Sequence, residues 1–126
     1  MRTNAGRDFQ ARVMGDPSST GTGAYAAACY IGLSADAAAP SASNTTLPSE
    51  ITGGTLARAI AAYAHVNGQA TYTLTKSFTS DQAVVVRKLG VFNAVSSGTM
   101  VFETPLNAQA DLQPGDTIQI TETVTL

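Results

Sequence analysis

The residues able to carry chemistry in this chain of 126 residues are few and far apart. His65 is the one histidine and sits just before Asn67-Gly68, with no second His and no Cys cluster at metal-ligand spacing. Zinc sites need three or four such ligands, so His65 reads as a surface histidine on a strand. No Gly-x-Ser-x-Gly turn is present to expose a serine nucleophile. Asp111 and Asp116 flank Pro114-Gly115, but two carboxylates fall short of the oxygens a calcium loop requires, and turn capping accounts for them. Glu50, Glu103 and Glu122 are scattered singly, which gives no glycosidase pair. Gly21-Thr22-Gly23 and Gly53-Gly54 lack the Lys-Ser/Thr of a phosphate loop. Cys29 is the only cysteine, so no internal disulfide forms, and its apolar setting reads as a small buried hydrophobe. The expectation is a non-enzyme with no catalytic, cofactor-binding or metal-binding residues, no cofactor and no small-molecule substrate.

The composition explains how such a chain presents itself. Apolar residues make up 44% and charged residues only 13%, against about 25% charge in average soluble domains. Small neutral residues (Ala, Thr, Ser, Gly, Asn) must therefore cover the surface. Such a surface repels copies of itself poorly and suits packing in an array, although a plain Ala/Thr bias would produce the same figures. Net charge is −2, which leaves no nucleic-acid footprint. The charge is uneven. Arg2, Arg7 and Arg12 are opposed only by Asp8 in the first fifteen residues, and the remainder carries four basic against eight acidic side chains. A mildly basic arm on an acidic body could dock on a neighbouring protein, which makes Arg2, Arg7, Phe9 and Arg12 the candidate partner-binding residues. Three arginines in an ordinary solvated terminus are the plainer alternative. No apolar run reaches membrane-spanning length, and Arg7, Asp8 and Arg12 interrupt anything like a signal-peptide core. The expectation is a protein made and kept in a cytoplasm or released by lysis, with no membrane partner.

The elements that would position these residues are strands. Residues 1–24 are weakly periodic and end in Asp16-Pro17-Ser18-Ser19-Thr20-Gly21-Thr22-Gly23, which reads as an extended N-terminal arm. Residues 25–126 read as one antiparallel β domain, with 34–55 as a long loop containing Pro40 and Pro48. Thr71 to Thr79 alternates, with Tyr72, Leu74 and Phe78 on one face and Thr or Ser on the other; Lys76 falls on the apolar face. Gln82–Phe92, Thr99–Thr104 and Thr117–Leu126 follow, and Gly90 marks a bulge or a close backbone approach. An earlier strand, Tyr25 to Leu33, places Tyr25, Ala27, Cys29, Ile31 and Leu33 on one side. Turns fall at Asn67-Gly68, Ser96-Ser97-Gly98 and Gln113-Pro114-Gly115-Asp116. Residues 55–66 fit a helical stripe or an alternating strand; the hairpin after them favours strand. Five to seven strands with short turns predict an all-β fold, an antiparallel β-sandwich or barrel, presenting a Thr-rich outer face.

Several stretches resemble a family of small phage virion proteins, variously capsid-decoration or tail-fibre components. The resemblance lies in Tyr30-Ile31-Gly32-Leu33-Ser34, Asn44-Thr45-Thr46-Leu47-Pro48-Ser49-Glu50-Ile51, Leu56-Ala57-Arg58-Ala59 and Leu89-Gly90-Val91-Phe92-Asn93-Ala94. It continues in Gly98-Thr99-Met100-Val101-Phe102-Glu103 and Ile120-Thr121-Glu122-Thr123-Val124-Thr125. It implies a structural protein of the virion, assembled in the host cytoplasm. The first reading is a capsid decoration protein that binds the phage major capsid protein and copies of itself, with a trimer favoured. The alternative is a tail-fibre, baseplate or head-fibre subunit involved in host attachment. A free carbohydrate-binding module is disfavoured by the absence of Trp and the presence of only four Tyr.

Overall fold

The computed structural model describes Ala11, residues 14–17 and residues 27–126. The chain forms β1 (Tyr30–Ser34), a short 3-10 turn (Gly54–Leu56), β2 (Ala59–Ile60), β3 (Ala62–His65), β4 (Thr71–Thr79), β5 (Val84–Phe92), β6 (Met100–Leu112) and β7 (Thr117–Thr125). They assemble into a four-stranded sheet of order β2-β1-β5-β6 and a three-stranded sheet of order β3-β4-β7, with every pairing antiparallel. Of the two expected all-β forms, sandwich and barrel, the chain adopts the antiparallel sandwich.

Alternation decides which side chains meet between the sheets. Ile31, Leu33, Leu89 and Val91 of the larger sheet face Tyr72, Leu74, Phe78, Ile120 and Val124 of the smaller one, all buried. Leu56, fully buried, fills the core from the 3-10 turn, a burial that contributes about 1.5–3 kcal/mol.

Residues 55–66 are extended, but not as one hairpin arm. β2 pairs with β1, and β3 pairs with β4 in the other sheet. The crossing falls at Ala61, which is buried and donates its N–H to the Cys29 carbonyl at 2.8 Å. Small side chains around this point let one chain serve both layers.

The reversals follow their residues. Gln69 N–H bonds the Val66 carbonyl at 3.1 Å around Asn67-Gly68, and Gly68 adopts φ +83°. In the last turn Asp116 N–H bonds the Gln113 carbonyl at 3.0 Å, Gly115 has φ +94°, and the Asp116 carboxylate accepts the Gln113 N–H at 2.8 Å. Pro at the second position and a positive φ at the third make this a type II turn.

Within the expected arm, Ala11, Met14 and Gly15 have helical backbone. Ala11 is fully buried in the core, and the Met14 carbonyl accepts the Ala28 N–H at 2.7 Å. This stretch is therefore part of the body's packing.

The expected one-sided burial of the first strand is only half of what occurs. Gly32 and Ser34, on its outer face, are buried as well, because the loop after β1 folds back over the larger sheet. Two ionic clusters hold it there. Lys88 Nζ lies 2.6 Å from Asp36 Oδ2 and 2.7 Å from Glu103 Oε2, and its side chain is 2% exposed. Glu103 also accepts the Ser41 N–H at 3.0 Å and the Asn44 amide at 2.9 Å. Arg58 forms a forked pair with Glu50 at 2.9 and 2.7 Å, donates to the carbonyls of Ala94 and Ser97, and lies 3.3 Å over the Phe92 ring. The Phe92 ring rests on Gly90, where a Cβ would come within 2.8 Å of its Cε2. Gly90 thus marks a close approach.

Hydrogen bonding to Lys88 holds the Glu103 and Asp36 carboxyls below their ordinary range. For Lys88, burial lowers the pKa, but the bonds to Asp36 and Glu103 outweigh it and leave the group raised. The carboxylates therefore contribute stability that is complete above their ordinary values of 3.8 and 4.5 and is lost as pH falls through the lower folded values. The lysine contributes stability below its ordinary 10.5, lost only as pH rises through its higher folded value. Lys88→Met should cost about 3–5 kcal/mol in chemical denaturation at neutral pH, because Glu103 is left buried and unpaired. Adding Glu103→Leu should return most of that loss, and the double variant should show less acid destabilisation than the wild type.

Candidate functional site

The residues singled out for chemistry do not converge. His65 Nδ1–H donates to the Thr71 carbonyl at 2.8 Å, and the ring tilts against Tyr63. Cys29 is buried, and burial together with the nearby Asp16 carboxylate pushes its thiol up, away from nucleophilic character. Glu50, Glu103 and Glu122 each meet a different partner: Arg58, Lys88 and Thr104. Among the described residues no group of three His, Cys, Asp or Glu could hold a metal ion. Arg2, Arg7, Phe9 and Arg12 lie outside the described residues.

What the fold does build is a surface. β4 and β7 run antiparallel through nine consecutive pairs, from Thr71 opposite Thr125 to Thr79 opposite Thr117. Period two sends Tyr72, Leu74, Lys76 and Phe78 inward and Thr71, Thr73, Thr75, Ser77 and Thr79 outward. In β7 Thr117, Gln119, Thr121, Thr123 and Thr125 are all exposed. Cross-strand opposition then makes rows of hydroxyls: Thr73 with Thr123, Thr75 with Thr121, and Thr79 with Thr117, whose Oγ1 atoms are 3.3 Å apart. Among the described residues of β4 and β7 this face carries no ionised side chain, because Lys76 and Glu122 fall on the interior side. β-branched residues on such a face favour the pleated conformation and offer donors and acceptors to a partner.

Glu122 is the half-buried carboxylate of this region. It shares the inner side with Ile118, Ile120 and Val124, and accepts the Thr104 hydroxyl at 2.9 Å from the opposite sheet. Burial raises its pKa, and the Thr104 bond offsets this only in part. The bond crosses a cleft of about 360 Å³ between β6 and β7, floored by Leu89 and flanked by Leu106, Ala110, Ile118 and Ile120.

The expected Thr-rich face was legible from alternation alone. The ion clusters and the cleft were missed, since their members are distant in sequence.

The family described as Podophage GP4 fiber I protein gp80 matches residues 12–125. The chain belongs to this family. The fiber I family is one of phage virion structural proteins, and the match supports the fibre alternative while lending nothing to capsid decoration. No curated protein matches the chain. A fibre family accords with a domain whose most regular feature is a neutral hydroxyl face. No helix among the described residues is long and apolar enough to cross a membrane.

The raised Glu122 pKa has a definite sign. A carboxyl whose folded value lies above its ordinary 4.5 destabilises the fold once ionised, and the penalty disappears as pH falls through the folded value. Glu122→Gln keeps an acceptor for Thr104 without the charge. Thermal unfolding should therefore show a higher midpoint than wild type at neutral pH, with the two curves converging below pH 4.5.

Proposed function

We propose that this protein is a fibre subunit on the outside of a phage virion, working by packing against other virion proteins and against copies of itself, and serving host attachment. The fiber I match over residues 12–125 carries this reading. The neutral Thr face of β4 and β7 supports it, because a surface without charge can be covered by protein with no ionic desolvation penalty. The clamped loop supports it further: three basic side chains of the body, Arg58, Arg87 and Lys88, are spent on internal bonds and leave few charges to repel a neighbour. In this reading the basic segment holding Arg2, Arg7 and Arg12 fastens the subunit to an acidic surface of the neighbouring virion protein.

Labelled antibody against this chain should mark fibre positions on intact virions, at a low copy number by quantitative mass spectrometry. Dense, uniform labelling of the head would refute the fibre assignment. Removal of the arm has to stop ahead of Ala11, since that residue is fully buried in the core. A variant lacking residues 1–10 should keep wild-type β circular dichroism yet fail to enter particles. Full incorporation of that variant would remove the arm from the attachment scheme.

A further inference from the structure

Among the described residues the sandwich has four sheet edges, and three of them are guarded. β2 and β3 are short, with ranges Ala59–Ile60 and Ala62–His65. β6 is interrupted: between Val86 and Lys88 only Arg87 intervenes on β5, whereas residues 106–109 intervene between Pro105 and Ala110 on β6. Pro105 and this bulge are devices that blunt an edge against strand addition. β7 has none of them. Its sequence Thr117-Ile118-Gln119-Ile120-Thr121-Glu122-Thr123-Val124-Thr125 contains no Pro, Gly or Lys, and its ladder with β4 has no register shift.

The direction of its backbone groups can be read off. The Asp116 carbonyl accepts from Ser80, and Leu126 N–H donates to Ala70, so even-numbered residues along β7 bond toward β4. Strand alternation then turns the N–H and C=O groups of Thr117, Gln119, Thr121, Thr123 and Thr125 outward along the open edge.

We propose that this edge pairs antiparallel with β7 of a second copy of the chain, about a two-fold axis through Thr121. Thr121 then faces the second copy's Thr121, Gln119 faces its Thr123, and Thr117 faces its Thr125. Every outward residue is engaged in a hydrogen-bonded pair, and each such pair exchanges two bonds. The side-chain pattern agrees with this register. On the inner side Glu122 meets the second copy's Ile120, and no like charges are opposed; a slip of one residue on each strand would set Glu122 against Glu122. The cleft under the edge argues for the same occupant. A strand added beyond β7 carries its own Ile118 and Ile120 over the apolar walls formed by Leu89, Leu106 and Ala110. Two three-stranded sheets become one continuous sheet, and the Thr faces merge into a single neutral surface. This inference rests on the edge geometry and not on the fibre assignment.

Sedimentation equilibrium of the full chain tests it. The wild type should self-associate to a dimer or an even-numbered assembly. Thr121→Pro deletes an outward N–H without touching the β4 ladder and should weaken association by about tenfold or more. Thr121→Lys sets like charges across the axis and should do the same. Both variants should keep the wild-type circular dichroism and unfold at the same midpoint when monomeric. Under oxidising conditions Thr121→Cys should cross-link to itself far faster than Thr117→Cys, because only residue 121 meets its own copy. A wild type that stays monomeric at every concentration, association unaltered by Thr121→Pro and Thr121→Lys, or equal cross-linking at positions 121 and 117, would each overturn the proposal. If antibody labelling failed to find fibre positions while these variants behaved as described, the fibre assignment alone would fall.

Discussion

The Lys88 ammonium, 2% exposed and held by Asp36 and Glu103, is the interaction on which the arrangement of this molecule depends. A charge so deeply placed is tolerated only when fully partnered, since desolvating it alone costs several kcal/mol. Its partners come from the loop after β1 and from β6, so satisfying the charge forces the loop onto the outer face of the larger sheet. Arg58 does the same at the other end, tying Glu50 to the turn after β5 and covering Phe92. Buried ion pairs are weak contributors to net stability, but they are strict about geometry. Here they fix the path of a long loop whose own composition would leave it without a fixed course.

That closure divides the labour between the sheets. At β1 and the second half of β5 the larger sheet has both faces covered, one by the core and one by the loop, which is why Ile31, Gly32, Leu33 and Ser34 are buried in succession. The smaller sheet keeps one open face, neutral and hydroxyl-rich. The low charge of the chain and the internal use of Arg58, Arg87 and Lys88 are two sides of the same economy. Charges that other proteins place on the surface here hold a loop, and the open face formed by β4 and β7 is neutral.

This division also explains what could be read from the sequence. β4 and β7 were legible nearly to the residue because one face is apolar and the other is Thr. β1 was legible as a strand but not in its double burial, since nothing local announces that the loop of residues 35–53 will return to cover Gly32. β6 was recognised only to Thr104 because Pro105 and the bulge at residues 106–109 destroy alternation, yet pairing with Val84 to Val86 resumes beyond them. The Ala-rich stretch 57–64 carries both periods because it crosses between layers and belongs to each sheet for only a few residues. Lys88 with Asp36 and Arg58 with Glu50 join residues that no pattern links. Their pairing exists only once the sheets have formed.

Tyr72 shows how the N-terminal segment and the body constrain one another. Its ring is buried, tilted at 45° against Tyr63, and a Cβ on Gly15 would come within 2.6 Å of its Cε2. Burial, with the Tyr63, Glu122 and Cys29 charges adding to it, pushes its phenol up to about 12, so the hydroxyl stays neutral throughout the physiological range. A neutral, tightly packed tyrosine acts as a wedge: it fits here because Gly15, without a Cβ, closes against its ring. Ala11 and residues 14–17 are thereby part of the packing of the β body. The Met14 carbonyl, bonded to the Ala28 N–H at 2.7 Å, ties that packing to the stretch that leads into β1.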